Sequence, residues 1–476
     1  MVKSHGQGDK TGRPTTLNTS DELAVLNEGA IPFAMAVRVW LKISLLSFGG
    51  PAGQIAVMHR LVVTEMKWVS EQRFLHALNF CMLLPGPEAQ QLTIYLGWLL
   101  HRLRGGIVAG VLFVLPGAIS MLSLSMIYVT YQNAAVLESV FVGVKATVLA
   151  IVLSALYRLA RRLVHRPVML SIAVGAFVCS FVLSVPFPMV ILLAGLAGII
   201  SQSSIDQDGA AGKDDRKEVD LAFAASSASD DVSVRRAVTV LAICGAIWLL
   251  PVIVIHAVLG SGHIYAQQSL FFSQMAVVTF GGAYAVLSYM AEQTVDHYGW
   301  LTGGEMLDGL GLTETTPGPL IMVTQFVGFV AAYRNPGTLD PMLAGMLGAL
   351  VASWVTFAPC FLWIFLGAPY IERLRGNAVL ARVLSCITAA VVGVILNLTV
   401  WFGVQVLFTK LRPVPISFFT GQTASVVLPV LESFDPLVGA IMVVALLAIT
   451  VLRIGMIKVL LCSSAFGLAA GMAGLI

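Results

Sequence analysis

Two Pro-Gly-Pro triplets have the chemistry of a small-ion site. Pro85-Gly86-Pro87 and Pro317-Gly318-Pro319 each lie inside an apolar stretch, where prolines end one helix and begin another. The first backbone N–H groups of a helix lack carbonyl partners within that helix and carry the positive end of its dipole. An anion is the natural partner for such groups. The alternative is a plain kink whose free groups are satisfied by neighbouring helices.

A few ionisable residues lie within the apolar stretches, where each needs a polar partner. Lys145 is interpreted as a cation that faces an anionic substrate, with snorkelling to an interface as the alternative. Glu88 competes with the anion, carries a coupling proton or caps its own helix. Arg38 either offsets substrate charge or anchors its helix at the headgroups. The other members of this set are Lys42, Glu305 and Asp308.

Glycine pairs and neutral amides surround the two triplets. Phe48-Gly49-Gly50 and Phe280-Gly281-Gly282 allow either close approach of the backbone to a ligand or close packing of helices. Gln54 and Gln90 offer hydrogen bonds to the same place, and they can equally well join helices. We therefore include both glycine pairs and both glutamines among the candidate substrate-binding residues.

The motifs occur twice at one spacing, which predicts an internal repeat. The Phe-Gly-Gly motifs (280 − 48 = 232), the tryptophans Trp68 and Trp300 (300 − 68 = 232) and the Pro-Gly-Pro triplets (317 − 85 = 232) keep the same register. Further along, Pro116 and Pro359 are separated by 243 residues (359 − 116 = 243). The additional residues fit a longer second-half loop around Asn335-Pro336-Gly337.

The composition identifies an integral membrane protein. The 476 residues are 58% hydrophobic and 11% charged, with a mean hydropathy of +0.88. Apolar runs of about 18–25 residues recur, enough to cross the bilayer as helices. The net charge of +3 is spread over loops and gives no reason to expect a nucleic-acid partner. The sequence has no nucleotide-binding or hydrolase motif, and its cysteines lack metal-binding or redox spacing. We therefore expect that the protein is not an enzyme and that it binds no cofactor.

The predicted fold is an all-α polytopic membrane protein with two homologous repeats in inverted orientation, each containing broken or re-entrant helices. Inversion follows from loop charge, because basic and non-basic loops exchange places between the repeats. The predicted segments are a cytoplasmic N-terminal tail (1–30), a first repeat (31–200), a polar linker (201–236), an extra transmembrane helix (237–258) and a second repeat (259–476).

The ordered motifs resemble those of the chromate ion transporter family, in particular its long-chain members with two domains. The resemblance rests on residues 47–54, 84–91 and 143–146 of the first repeat and on 279–282 and 316–319 of the second. It implies a multi-pass protein of the bacterial inner membrane that exports chromate by using the membrane potential or a proton gradient. It also implies chromate resistance.

The second repeat departs from the first, since Leu320 stands at the position of Glu88 and Thr388 at that of Lys145. We therefore expect most of the ion chemistry in the first half. The expected partners are chromate, with sulfate as a competitor, and the lipid bilayer, with a homodimer as an option. The alternatives are a transporter for sulfate or another oxyanion and, from another class, a channel or a membrane-embedded enzyme or flippase.

Overall fold

The computed structural model describes residues 31–474 except for positions 132–133, 162, 184, 201–233, 281–282, 369–377 and 418–422. The predicted N-terminal tail and nearly all of the predicted linker lie outside the described residues. The predicted extra helix is described, and it begins at Val234, three residues before the predicted start.

The helices of the first half begin and end at the predicted breaks. Gly49 has a φ of 80°, which suits glycine in the turn before α2, and Ser70 accepts a hydrogen bond from Arg73 N–H to cap α3. In chain order the elements are α1 (Phe33–Leu46), α2 (Gly50–His59) continued by a π-helical segment (Arg60–Glu65), α3 (Glu71–Cys81), α4 (Glu88–Tyr131), α5 (Ala135–Ala160), α6 (Pro167–Phe181) and α7 (Phe187–Ile200).

The second half follows the connecting helix α8 (Val234–Leu259) and repeats this order. Its elements are α9 (Ile264–Val278), α10 (Ala283–Ala291) with a π-helical segment (Glu292–His297), α11 (Gly303–Thr315), a 3₁₀ turn (Leu320–Met322), α12 (Val323–Arg334), α13 (Pro341–Gly367), α14 (Ala378–Leu407), strands β1 (Leu411–Ser417) and β2 (Thr423–Pro429), a 3₁₀ turn (Leu431–Ser433), α15 (Pro436–Thr450) and α16 (Met456–Met472).

Five of the described helices, α4, α5, α8, α13 and α14, are long and apolar enough to cross a membrane. The all-α polytopic class is therefore confirmed. The sequence did not predict the antiparallel hairpin of β1 and β2, which pairs Leu411 with Pro429. α4 is two helices joined at a kink, because His101 and Arg102 have non-helical backbone angles.

The interrupted segments of the first half double back as hairpins. The Trp40 ring of α1 lies 6.4 Å from the Trp68 ring beyond α2, so the chain returns beside α1 after the turn at Gly49. The second turn behaves in the same way, since the Phe80 ring of α3 lies 6.1 Å from the Tyr95 ring of α4. Both breaks thus have the geometry of hairpins rather than of interrupted single spans.

Local details recur between the halves at the spacing of 232 residues. Trp68 N–H donates to the Val62 carbonyl at 2.9 Å, and Trp300 N–H donates to the Thr294 carbonyl at 2.8 Å. The two π-helical segments start at Arg60 and Glu292. These pairs share local conformation although most of their side chains differ.

A long helix of each half packs against helices of the other half. α5 of the first half packs against α15 and α16 of the second, and α14 of the second packs against α6 and α7 of the first. Gly143 and Gly467 permit the first of these contacts, because a Cβ at either position would collide with the backbone of the facing helix. The two halves are therefore packed through one another rather than side by side.

Candidate functional site

The two Pro-Gly-Pro breaks are bonded to the opposite half of the chain. Gly86 N–H donates to the Thr279 carbonyl at 2.8 Å, and Gly318 N–H donates to the Ser47 carbonyl at 2.8 Å. The two bonds are related by the sequence register, because 279 − 47 = 232 and 318 − 86 = 232. Each Pro-Gly-Pro glycine therefore contacts the residue before the Phe-Gly-Gly motif of the other half, and its own amide is not available to a ligand.

Side chains reinforce this junction. Gln54 Nε2 donates to the Gly318 carbonyl at 2.5 Å and thereby fastens α2 of the first half to the second break. Gln91 Nε2 donates to the Pro85 carbonyl at 2.7 Å across its own break. The backbone of Gly86 has a φ of 123°, and a Cβ there would lie 2.8 Å from Gln91 Nε2. Only glycine suits this position without strain.

Free hydrogen-bond donors are found at the start of α4. The first helical bond runs from Gln91 N–H to the Pro87 carbonyl at 3.1 Å. The N–H groups of Glu88, Ala89 and Gln90 therefore precede the helical ladder. Within the described residues these groups have no hydrogen-bond acceptor. The side-chain amide of Gln90 is fully buried, and neither its nitrogen nor its oxygen has a partner there.

The second break is closed by backbone and apolar side chains. Met322 N–H donates to the Pro319 carbonyl at 2.9 Å in a short 3₁₀ turn, and Leu320 and Met322 are buried. The Pro317 carbonyl and Gly318 lie directly against Gly117 of α4, where a side chain would collide with the Pro317 carbonyl. The N–H groups of Leu320 and Ile321 also precede the first bond of this turn, so what distinguishes this break is its apolar side chains, Leu320 and Met322, at the positions of Glu88 and Gln90.

Lys145 lies in an ion pair away from the breaks. Its Nζ is 3.3 Å from Asp308 Oδ1, and Tyr128 hydroxyl donates to Asp308 Oδ2 at 2.9 Å. Asp308 is seven residues before the end of α11 at Thr315, which corresponds to about 10 Å along the helix. Glu305, nearer the start of α11, pairs with Arg334 and completes a capping box with Thr302.

The remaining candidates are dispersed. Arg38 is exposed on α1, and Lys42 Nζ lies 3.9 Å from Glu65 Oε2. Glu88 is half-buried in the first turn of α4. Gly281 and Gly282 lie outside the described residues. The structure thus brings together Gly49, Gly50, Gln54, Pro85, Gly86, Pro87, Glu88, Gln90, Pro317, Gly318 and Pro319. It separates these residues from Lys145 and Arg38.

The sequence analysis missed a buried pair in the second half. Tyr284 hydroxyl donates to Glu314 Oε1 at 3.0 Å, and Glu314 is only 4% exposed. Glu314 lies three residues before Pro317 in an otherwise weakly polar stretch. The signal that could have identified Glu314 was its charge so close to the Pro-Gly-Pro break. The threonines on either side of it made the segment look like a polar loop.

A polytopic helical protein with helices broken within its apolar segments, and with the breaks bonded to each other's halves, has an architecture that many secondary transporters share. The sequence pattern of the chromate transporter family matches residues 35–199 and 266–471, so the chain belongs to that family. This is a family of transporters and not of enzymes.

Three relatives named as chromate transport proteins match this chain over most of their own length. The chain is 28% identical over 370 residues to a probable chromate transport protein of Synechococcus elongatus, covering 77% of this chain and 84% of that protein. It is 28% identical over 362 residues to the chromate transport protein of Cupriavidus metallidurans, covering 75% and 80%. A chromate transport protein of Pseudomonas aeruginosa is 29% identical over 360 residues, covering 75% and 77%. No solved structure matches the chain.

Proposed function

We propose that this protein is a secondary transporter that exports chromate from the cytoplasm and so confers chromate resistance. The observation that carries the proposal is the first break, where three backbone N–H groups and the buried Gln90 amide have no acceptor among the described residues. The family and the names of the relatives support chromate as the substrate.

We also infer that the chain consists of two inverted repeats. The reciprocal bonds of Gly86 and Gly318, the paired π-helical segments and the exchange of long helices support a two-fold relation between the halves. α8 adds one crossing between them, which turns the second repeat over. Cysteine labelling at Val69 and Leu301 from each side tests this inference, and modification of both from the same side would contradict it.

The anion in this proposal binds at the start of α4. The N–H groups of Glu88, Ala89 and Gln90 point along the helix axis at its positive end, which favours negative charge. Gln90 Nε2 adds a donor from the same turn. Glu88 occupies this turn as well. Its carboxylate can occupy these N–H donors when no substrate is bound, and it therefore competes with the anion for them.

Lys145 has a secondary role in this account. Asp308 neutralises Lys145 in the described state. The pair lies about two turns of α11 before the second break, at Pro317. Lys145 offsets the charge of the dianion only if the pair with Asp308 opens during transport. Arg38, which is exposed, acts as a headgroup anchor rather than as a ligand.

We infer the driving energy from the charge of the substrate and the location from the basic residues of the chain. A dianion leaving a negative interior gains about 2.3 kcal/mol per charge for each 100 mV, so the membrane potential alone can drive export, and a proton gradient is the other source. Arg158 in the last turn of α5 and Arg161 and Arg166 after it are basic, which supports a cytoplasmic location for this end of the helix in a bacterial inner membrane. The homodimer stays a prediction.

Chromate flux into everted membrane vesicles tests the proposal. We expect uptake driven by an inside-positive potential, slower uptake for Lys145→Ala, and a changed uptake rate for Glu88→Gln, because this variant removes the carboxylate that competes with the anion. Wild-type rates in both variants would contradict this site assignment. A preference for sulfate would favour the sulfate transporter instead, and flux without accumulation against a gradient would favour a channel.

A further inference from the structure

Glu314 is a buried acid that the proposed anion site does not use. It lies on α11, its side chain is almost fully enclosed, and Oε1 accepts a hydrogen bond from Tyr284 hydroxyl at 3.0 Å. Oε2 is also buried, and among the described residues it has no hydrogen-bond partner. The carboxyl group is therefore only half satisfied in this state.

The charges around Glu314 do not neutralise it. The titratable groups that face α11 are Tyr128 of α4, Lys145 and Arg158 of α5, Tyr284 of α10 and Arg334 of α12. Lys145 and Tyr128 bind Asp308, and Arg334 binds Glu305.

Arg158 is close enough for its charge to act on Glu314 and Tyr284, but its guanidinium donates to Ser154 Oγ at 3.1 Å. Within the described chain no salt bridge reaches Glu314. An ionised Glu314 would then be a buried charge without a directly bound cation, which costs several kcal/mol in an apolar interior. A proton on Glu314 removes this cost, so the protonation of Glu314 responds to any further negative charge placed nearby.

Glu314 also lies beside the machinery of the first break. The Tyr284 hydroxyl is 3.6 Å from the place that a Cβ on Gly50 would occupy. Gly50 begins α2, and α2 holds the second break through the bond from Gln54 to the Gly318 carbonyl. Tyr284 also lies five residues after Thr279, whose carbonyl accepts the Gly86 N–H bond of the first break, so the Glu314–Tyr284 pair reaches the first break through the segment that begins α10.

We propose that Glu314 and Tyr284 form a proton-binding site, and that uptake of a proton there accompanies binding of the oxyanion at the first break. The inference rests on the proposed function. An ionised Glu314 repels a dianion nearby, and a protonated Glu314 does not, so each ligand increases the affinity for the other. One proton passes from water to the carboxylate as the anion binds, and it returns to water when the anion leaves. A dianion and one proton then cross together as one net negative charge, so in this scheme the membrane potential drives export and the proton gradient does not.

Proton uptake on binding tests the inference directly. Purified full-length protein is mixed with chromate in weakly buffered solution, at a pH where free chromate is fully deprotonated, and the pH change is recorded. We expect the wild type to take up about one proton per bound anion and Glu314→Gln to take up none. Chromate affinity of the wild type falls about 5–150-fold from low to high pH, the usual range of coupling, whereas that of Glu314→Gln is constant.

Glu305→Gln is the matched control, because Glu305 lies on the same helix but is paired with Arg334. It should keep the wild-type proton uptake, and Tyr284→Phe should shift the pH dependence without abolishing uptake. Chromate binding by the wild type without proton uptake would overturn the inference, and so would normal uptake by Glu314→Gln.

Modification by a hydrophobic carbodiimide separates the two proposals. This reagent attacks buried protonated carboxyls, and mass spectrometry should find it on Glu314 of the wild type, less as the pH rises. If chromate does not bind but Glu314 is modified in this way, the proposed substrate fails and the proton site stands. An unmodified Glu314 overturns the proton site, whether or not Glu314→Gln folds.

Discussion

The two breaks share a backbone and differ in their side chains. After the first break the polar residues are Glu88, Gln90 and Gln91, and at the same register the second break has Leu320, Met322 and Val323. Before the break the pattern reverses, since Asp308 and Glu314 of α11 correspond to His76 and Met82 of α3.

This difference teaches that two breaks with matching backbone bonds can carry different side chains. The bonds of Gly86 and Gly318 are the same in both, and the side chains at matched positions differ. We assign the anion to the first break and the proton to the acid before the second. The predictions below change one side of this comparison at a time.

Breaking the Lys145–Asp308 pair should have the largest effect. Lys145→Ala leaves Asp308 buried without its cation, and we expect a loss of about 3 kcal/mol in stability. The double variant Lys145→Met with Asp308→Leu should regain most of the stability, as measured by thermal unfolding in detergent. Wild-type chromate transport by the double variant would show that Lys145 is not a substrate ligand.

Exchanging side chains between the breaks should lower the affinity for chromate only when the first break is changed. Gln90→Met gives the first break the side chain of the second, and we expect chromate affinity to fall about tenfold, the loss of one hydrogen bond to a charged ligand. Met322→Gln buries an amide in an apolar site and should lower stability while affinity is unchanged. Equal affinity losses in both variants, from equilibrium binding, would contradict the assignment to the first break.

Removing the Gln54 contact should loosen the junction between the halves. Gln54→Leu leaves the Gly318 carbonyl without that partner, at a cost of about 1–2 kcal/mol in unfolding free energy. The exposed Gln72 on α3 provides the control, and Gln72→Leu should unfold at the wild-type temperature. Equal unfolding temperatures for the two variants would mean that the Gln54 bond contributes nothing.

Arg38→Ala should have the smallest effect. The side chain is exposed on α1, so we expect a change within about 0.5 kcal/mol and a wild-type rate of chromate transport. A large loss of transport with normal stability would restore Arg38 to the substrate site.

The sequence predicted the helical class and the positions of the breaks, because prolines, glycine pairs and apolar runs act locally. Phe48-Gly49-Gly50 and both Pro-Gly-Pro motifs fall at the observed breaks between helices, and α9 ends at Val278, shortly before Phe280. Orphan N–H groups at Glu88, Ala89 and Gln90 also follow from the proline positions alone.

Contacts between distant segments could not be predicted in this way. The pairs Lys145–Asp308 and Tyr284–Glu314 join residues 163 and 30 positions apart. Nothing in either local sequence names the partner. The bonds of Gly86 and Gly318 to opposite halves depend on the same tertiary packing, and so do the exchanged partners of α5 and α14. The hairpin was missed because Pro413 and Pro415 lie within β1, where proline argues against a strand.

The most direct test of the central claim is an experimental structure of the full chain with bound chromate, with the metal located by its anomalous scattering. The account predicts an anion within hydrogen-bond distance of the backbone N–H groups of Glu88, Ala89 and Gln90. An anion held at Pro319 and Leu320, or one bound by Lys145 far from α4's first turn, would contradict it.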